Sequence, residues 1–135
     1  MLVALKVIAI ASAIAQGGGQ FNLTCVGPKK VIDLSLVAEE TTQERMVLRL
    51  DLDAKKWCTA DCQQTMPIAE VTNTAIVLQK SVLTPGPGQM FMINEVNRTS
   101  GRYIRSSRFK GLSINYDGAC EKTPFTGFPV VSTKF

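Results

Sequence analysis

Arg98, Arg102, Arg105, Arg108 and Lys110 fall within thirteen residues, and no carboxylate interrupts the run between Glu95 and Asp117. Guanidinium groups take a carboxylate or phosphate through paired N–H donors, so this stretch is the candidate site for an anionic envelope component or a protein partner. In an extended chain, alternation divides it, with Arg102 and Arg108 on the face opposite Arg105. A basic hairpin that only guards a sheet edge against aggregation is the competing reading.

Catalytic chemistry has little to work with. The chain contains no histidine, which removes Ser-His and Cys-His nucleophile systems, His-ligated zinc and the usual general base near neutral pH. Asp51 and Asp53 stand two apart on one strand face and could form the carboxylate pair of a histidine-free hydrolase. They share that face with Val47 and Arg49, the expected solvent side, where carboxylates keep ordinary pKa values and donate protons poorly. Ser107-Arg108-Phe109-Lys110 matches S-x-x-K, but Lys122-Thr123 is followed by Pro124 rather than glycine, so the companion K-T-G element fails. The expectation is no catalytic residue, no metal and no cofactor.

Cys25, Cys58, Cys62 and Cys120 are the four cysteines. An even count in a short exported chain reads as two disulfides, with three pairings open. A bridge from Cys58 to Cys62 needs a turn through Thr59-Ala60-Asp61, because an extended strand holds residues four apart beyond the reach of about 7 Å. The complementary bond, Cys25 to Cys120, would join the first expected strand to the last. That pairing is preferred, and crossed pairings stay open. The spacing does not resemble the paired C-x-x-C knuckles of a zinc site.

The reading as an exported chain rests on residues 1–15. Lys6, an apolar run from Val7 to Ile14 and the Ala13-Ile14-Ala15 site have the order of a secretory signal peptide, and the stretch is shorter than the ~20 residues of a membrane-spanning helix. Residues 16–20 then form a glycine-rich linker, 21–123 a single domain and 124–135 a C-terminal tail. No later segment is apolar enough to span a bilayer. The net charge of +4, three once Lys6 leaves with the leader, is too small and too scattered for a nucleic-acid binder.

These residues must be positioned by strands. Met46, Leu48, Leu50 and Leu52 alternate with Val47, Arg49, Asp51 and Asp53 over residues 45–53, and Ile32, Leu34 and Leu36 alternate over the preceding run, with 38–43 as the polar bridge of a hairpin. Short runs follow at 67–71, 74–81, 89–96, 102–109 and 112–116, separated by turn residues such as Pro85-Gly86-Pro87-Gly88, Asn97 to Gly101, and Asp117-Gly118. With 21–26 added, the expectation is an all-β fold: one small antiparallel β-barrel of about eight strands, with a β-sandwich as the alternative. An immunoglobulin-like sandwich fails on spacing, because Trp57 abuts Cys58 and no tyrosine stands two residues before Cys120. A barrel interior could carry a small apolar ligand against Met46, Met90 and Met92. Asn22-Leu23-Thr24 and Asn97-Arg98-Thr99 match the glycosylation sequon.

Leu50-Asp51-Leu52-Asp53 with Trp57-Cys58 and Cys62, then Ile93-Asn94, Asn97-Arg98, Thr99 and Gly101-Arg102, and last Gly118-Ala119-Cys120, form a pattern that spans Leu23 to Cys120. It resembles a group of small exported proteins of Gram-negative bacteria with no assigned activity, in which a leading L-x-C, a central W-C and a late N-R-x-(T/S)-G hairpin recur. The resemblance implies a periplasmic or secreted location and a small β architecture, and it supplies no catalytic residue. In size and layout alone, the chain also resembles the small periplasmic β-barrel inhibitors of lysozyme.

Overall fold

The structure is a computed structural model that describes residues 18–80 and 90–130. The expected signal peptide lies outside the described residues. Nine antiparallel strands make up the fold: β1 (Gln20–Asp33), β2 (Ala38–Asp51), β3 (Lys56–Thr59), β4 (Met66–Pro67), β5 (Glu70–Val71), β6 (Ala75–Gln79), β7 (Met90–Asn97), β8 (Arg102–Phe109) and β9 (Leu112–Thr123). They form one sheet in the order β4-β3-β2-β1-β9-β8-β7-β6-β5. The two edge strands are separated in the chain only by Ile68 and Ala69. The Ile68 amide donates to the Lys55 carbonyl beside β3, and the Ala69 amide to the Val77 carbonyl in β6. The sheet therefore curls into a half-barrel whose edges meet over residues 66–71. The expected all-β antiparallel barrel takes the form of this half-barrel, with nine strands for about eight: the runs at 21–26 and 32–36 join into β1, the run at 67–71 divides into β4 and β5, and β3 is additional.

Gln20 already belongs to β1, and the Gly19 carbonyl accepts from the Leu52 amide at 2.7 Å, so the second half of the expected linker is part of the fold. β1 runs on through Gly27-Pro28 instead of ending at Val26. Glycine is required there, since a side-chain carbon at position 27 would overlap the Asp117 carbonyl oxygen of β9.

The hairpin turn falls at residues 34–37 rather than at 38–43. The Asp33 carboxylate accepts from the Ser35 amide (3.0 Å), the Ser35 hydroxyl (2.6 Å) and the Leu36 amide (3.3 Å), which fixes an Asx-type turn. The polar bridge 38–43 is consequently strand. It is tied to β1 by the diagonal ion pairs Lys30–Glu39 (2.9 Å) and Lys29–Glu44 (3.5 Å) instead of by apolar packing. Leu34 and Leu36, expected on a core face, are exposed.

The core sits in the half of the sheet where all strands are present. Phe21, Leu23 and Cys25 of β1, Leu48 and Leu50 of β2, Trp57, Ile68, Ile76, Leu78, Val96, Tyr103 and Tyr116 form one buried cluster. Cys25 and Cys120 are directly opposed on β1 and β9 with Cα atoms 4.0 Å apart, and they are bonded. Cys58 and Cys62 are bonded across the Thr59-Ala60-Asp61 turn, where the Thr59 hydroxyl donates to Asp61 at 2.9 Å. The preferred pairing is the one observed.

Residues 124–130 fold against the sheet rather than standing free. Asn22 donates to the Thr126 hydroxyl at 2.9 Å, Arg49 donates to the Gly127 carbonyl at 2.9 Å, and Phe125 packs edge-on to Phe128 at 5.1 Å.

Candidate functional site

Past the core, the sheet changes character. β3 pairs with β2 only over Leu48–Asp51, and β6 pairs with β7 only from Asn94 to Asn97. Five strands, in the order β2-β1-β9-β8-β7, continue beyond those rungs as an open blade. Strand alternation carries the core-facing series outward along each of them. It runs Glu44, Thr42 and Glu40 on β2, Lys29 and Val31 on β1, Ile114 and Leu112 on β9, Arg105, Ser107 and Phe109 on β8, and Met92 and Met90 on β7. Where blade meets core, Lys29, Glu44, Met46, Arg105, Ser107, Ile114 and Tyr116 line a cleft of about 190 Å³.

Tyr116 forms its floor. Its hydroxyl donates to the Glu44 carbonyl at 3.1 Å, and its ring lies 5.8 Å from that of Tyr103. The ring folds over Gly118, where a side-chain carbon would come within 2.6 Å of the phenol oxygen, so position 118 must be glycine. Burial pushes the Tyr103 phenol up to about 12, against the opposing pull of the Arg105 guanidinium. Burial, with Glu44 and Asp117 adding to it, also raises Tyr116. Both phenols are therefore neutral at any physiological pH.

Two buried polar atoms lie under Arg105 without a hydrogen-bond partner among the described residues: the Tyr103 hydroxyl and the Asn94 side-chain carbonyl. Asn94 is directly opposite Arg105 and diagonal to Tyr103 across the β7–β8 ladder. An unpaired buried polar atom costs about 1–3 kcal/mol, and Arg49 Nε and Trp57 Nε1 are without partners among the described residues in the same way.

The five basic residues singled out by sequence are dispersed by the fold. Arg98 and Lys110 stand beyond opposite ends of β8, a strand that spans roughly 25 Å at the usual rise. Arg98 donates to the Thr72 carbonyl at 2.7 Å. Arg102 is ion-paired to Asp117 at 2.7 Å on the outer face. Arg108 is exposed on that same outer face, and Lys110 sits 5.1 Å from the Phe109 ring centroid at the β8–β9 turn. Of the five, only Arg105 lines the cleft; it is exposed, also borders the outer-face hollow beside Ile104, Ser106 and Asn115, and belongs to none of the three ion pairs among the described residues. Lys29 and Glu44, which complete the cleft, carried no signal in the sequence. Lys29 falls between the expected strands at 21–26 and 32–36, and Glu44 between the expected bridge 38–43 and the strand from 45.

Asp51 and Asp53 do not form a solvent-facing pair. Asp51 is only 8% exposed, and its carboxylate accepts from the Ala54 amide (2.9 Å) and the Gln20 side chain (2.9 Å). The Ala54 amide, seconded by Gln20, holds the carboxyl below the usual range against the upward push of burial. Asp53 sits in the following turn against Gly19.

A second cavity of about 290 Å³ opens at the other end of the core, floored by Phe21, Leu23, Leu52, Ile76 and Val96, with Arg98 and Lys122 among its lining residues. Between the two openings the interior is filled by Tyr103, Leu48, Leu50, Ile76 and Leu78, all fully buried. Of the three expected lining methionines, Met46 packs on the core while Met90 and Met92 lie out on the blade. Among the described residues, no three potential ligands are grouped to hold a metal ion, and no helix is long and apolar enough to cross a membrane. Of the two sequon asparagines, Asn22 is buried and bonded to Thr126, whereas Asn97 is exposed and caps the β7–β8 turn.

No family model, no curated protein and no solved structure matches the chain.

Proposed function

We propose that the protein is a periplasmic or secreted, non-catalytic binding domain that receives an acidic group of a partner in the cleft beneath Arg105. The observation that carries this reading is the unpaired guanidinium at the junction of core and blade, facing a cleft already supplied with Ser107 and the Lys29–Glu44 pair. A carboxylate entering there meets a bidentate donor and a hydroxyl, and its methylene stem lies between Met46 and Ile114. The volume of about 190 Å³ suits one side chain or terminal carboxylate rather than a whole cofactor. Two disulfides suit an oxidising, extracytoplasmic compartment, and the leader expected over residues 1–15 supplies the route there.

The alternatives have weaker support. An apolar-ligand carrier needs a hollow interior, and this one is packed with side chains. A hydrolase on Asp51 needs a carboxyl raised toward neutrality to act as an acid, whereas Asp51 is lowered and occupied by two donors.

The test is a titration with N-acetylglutamate followed by amide NMR shifts. Saturable shifts confined to Arg105, Ser107, Ile114 and their neighbours, at least tenfold weaker in Arg105→Gln and unchanged in Arg98→Gln, are the expected result. Shifts that ignore Arg105→Gln would defeat the proposal.

A further inference from the structure

Among the described residues, the far end of the blade is apolar where water should be. Its last inward-facing rung reads Met90, Phe109 and Leu112 across β7, β8 and β9, and all three are more than a third exposed. Above that rung the β1–β2 turn adds Leu34, Leu36 and Val37, exposed by 68%, 74% and 93%. The two turns form one surface, because the Leu34 amide donates to the Gly111 carbonyl at 3.0 Å. Scattered apolar side chains are ordinary on protein surfaces, but six contiguous ones at one extremity are not.

Val37 makes the point sharper. Its φ is +50°, in the left-handed region that β-branched residues avoid. Glycine or asparagine would relieve the turn, and an almost fully exposed valine contributes no burial in exchange. Lys110, in the facing turn, shares the left-handed conformation with φ +47°.

The charge around this end is also one-sided. Along the end of β8 and its turn, Arg108 and Lys110 have no acidic residue between Glu95 and Asp117 and form no ion pair among the described residues. On the β1–β2 side, Lys29 and Lys30 pair with Glu44 and Glu39, while Glu40 and the turn-capping Asp33 carboxylate leave that flank acidic. An apolar tip with a cationic collar on one flank complements a surface that is anionic at the headgroups and apolar just beneath.

We infer that the paired turns at residues 34–37 and 109–112 dock on an anionic phospholipid bilayer, with Leu34, Leu36, Val37 and Phe109 entering the headgroup boundary and Arg108 and Lys110 pairing with lipid phosphates. This surface lies at the far end of the blade from the Arg105 cleft, so the two readings stand or fall separately.

Co-sedimentation of the full chain with vesicles tests it. Phosphatidylcholine vesicles containing one-quarter phosphatidylglycerol should carry the protein down, and pure phosphatidylcholine vesicles should do so at least tenfold less well. Leu36→Asp/Val37→Asp, which alters only exposed turn positions, should lose at least tenfold in partitioning with an unchanged circular-dichroism spectrum. Lys110→Glu should lose several-fold on the anionic vesicles only. Val37→Gly should raise the melting temperature while weakening partitioning, a combination that no loss of folding produces. A Leu36→Trp reporter should shift to the blue and be quenched by brominated lipid. Failure of the wild type to sediment with anionic vesicles, or equal sedimentation of the double aspartate variant, overturns the inference. So does a concentration-dependent dimer, seen by sedimentation velocity, that the same aspartates abolish, since the tip would then meet a second copy of the chain.

Discussion

Replacing Cys25 and Cys120 together by alanine removes the covalent link between the first and last strands and leaves every ladder hydrogen bond between β1 and β9 available. The bridge closes a loop of 95 residues. In the chain-entropy account such a loop restricts the unfolded chain by about 4–5 kcal/mol, whereas the four-residue separation of Cys58 and Cys62 gives roughly 2 kcal/mol. Against the ~5–15 kcal/mol that holds a small domain together, the first loss takes a large share of the total and the second does not. Trp57, the single tryptophan, is buried in β3 and reports unfolding by fluorescence. In urea titrations the midpoint should be highest for wild type, lower for Cys58→Ala/Cys62→Ala and lowest for Cys25→Ala/Cys120→Ala. The long-loop variant should also show a steeper denaturant dependence, because its unfolded chain is freed to expose more surface. Equal losses in the two variants, or a loss below ~1 kcal/mol for the long loop, would refute the reasoning that the 25–120 bridge acts through the unfolded state.

Tyr103→Phe removes a buried hydroxyl that has no partner among the described residues, so stability should be unchanged or rise by up to ~1 kcal/mol; chemical denaturation checks it, and a clear loss would reveal a partner. In Tyr116→Phe the remaining phenol should ionise near 12 by ultraviolet difference absorbance, and a midpoint near 10 would mean that water reaches it. The Tyr103 phenol is raised in the folded state relative to 10.0 in the unfolded chain. Its contribution is whole below pH 10 and is lost as pH rises through 12, at up to ~1.4 kcal/mol per pH unit. Asp51→Asn should cost about 1–2 kcal/mol at neutral pH by weakening the bonds from Ala54 and Gln20. Because the folded carboxyl is lowered below 3.8, that deficit should shrink as pH falls through the folded value, and a pH-independent deficit would show that the charge plays no part.

What the sequence made legible is what packing enforces. Met46, Leu48 and Leu50 alternate because β2 has one face on the core, and the Cys25–Cys120 pairing follows from a sheet that brings its first and last strands together. The less legible elements are those where packing is absent. Residues 38–43 carry no apolar stripe, because the first half of β2 is held by ladder bonds and by Lys29 and Lys30 rather than by burial. Leu34 and Leu36 fit a strand pattern by type, yet Asp33 turns the chain before they can join it. Gly27-Pro28 looks like a strand end and is instead the place where β1 comes closest to β9. The role of Arg49, donating to the Gly127 carbonyl and to the Ala60 carbonyl, depends on where residues 124–130 return, which no local pattern states. Alternation did separate Arg105 from Arg102 and Arg108, but it could not say that Asp117 would neutralise Arg102.

The two halves of the sheet differ in what holds them together. The twelve core residues and both disulfides belong to the half where β3 and β6 complete the curl, together with the contacts that anchor the tail. The blade beyond holds its shape through backbone ladders and exposed ion pairs, which contribute little individually. A blade of that kind adds nothing to a core, and it leaves Leu36 and Val37 in water and Arg105 unpaired. Folding alone would favour a shorter β1–β2 hairpin turning near Gly27, with the apolar tip deleted. The strands nonetheless continue for another six or so residues each, held by their ladders and by the Lys29–Glu44 and Lys30–Glu39 pairs.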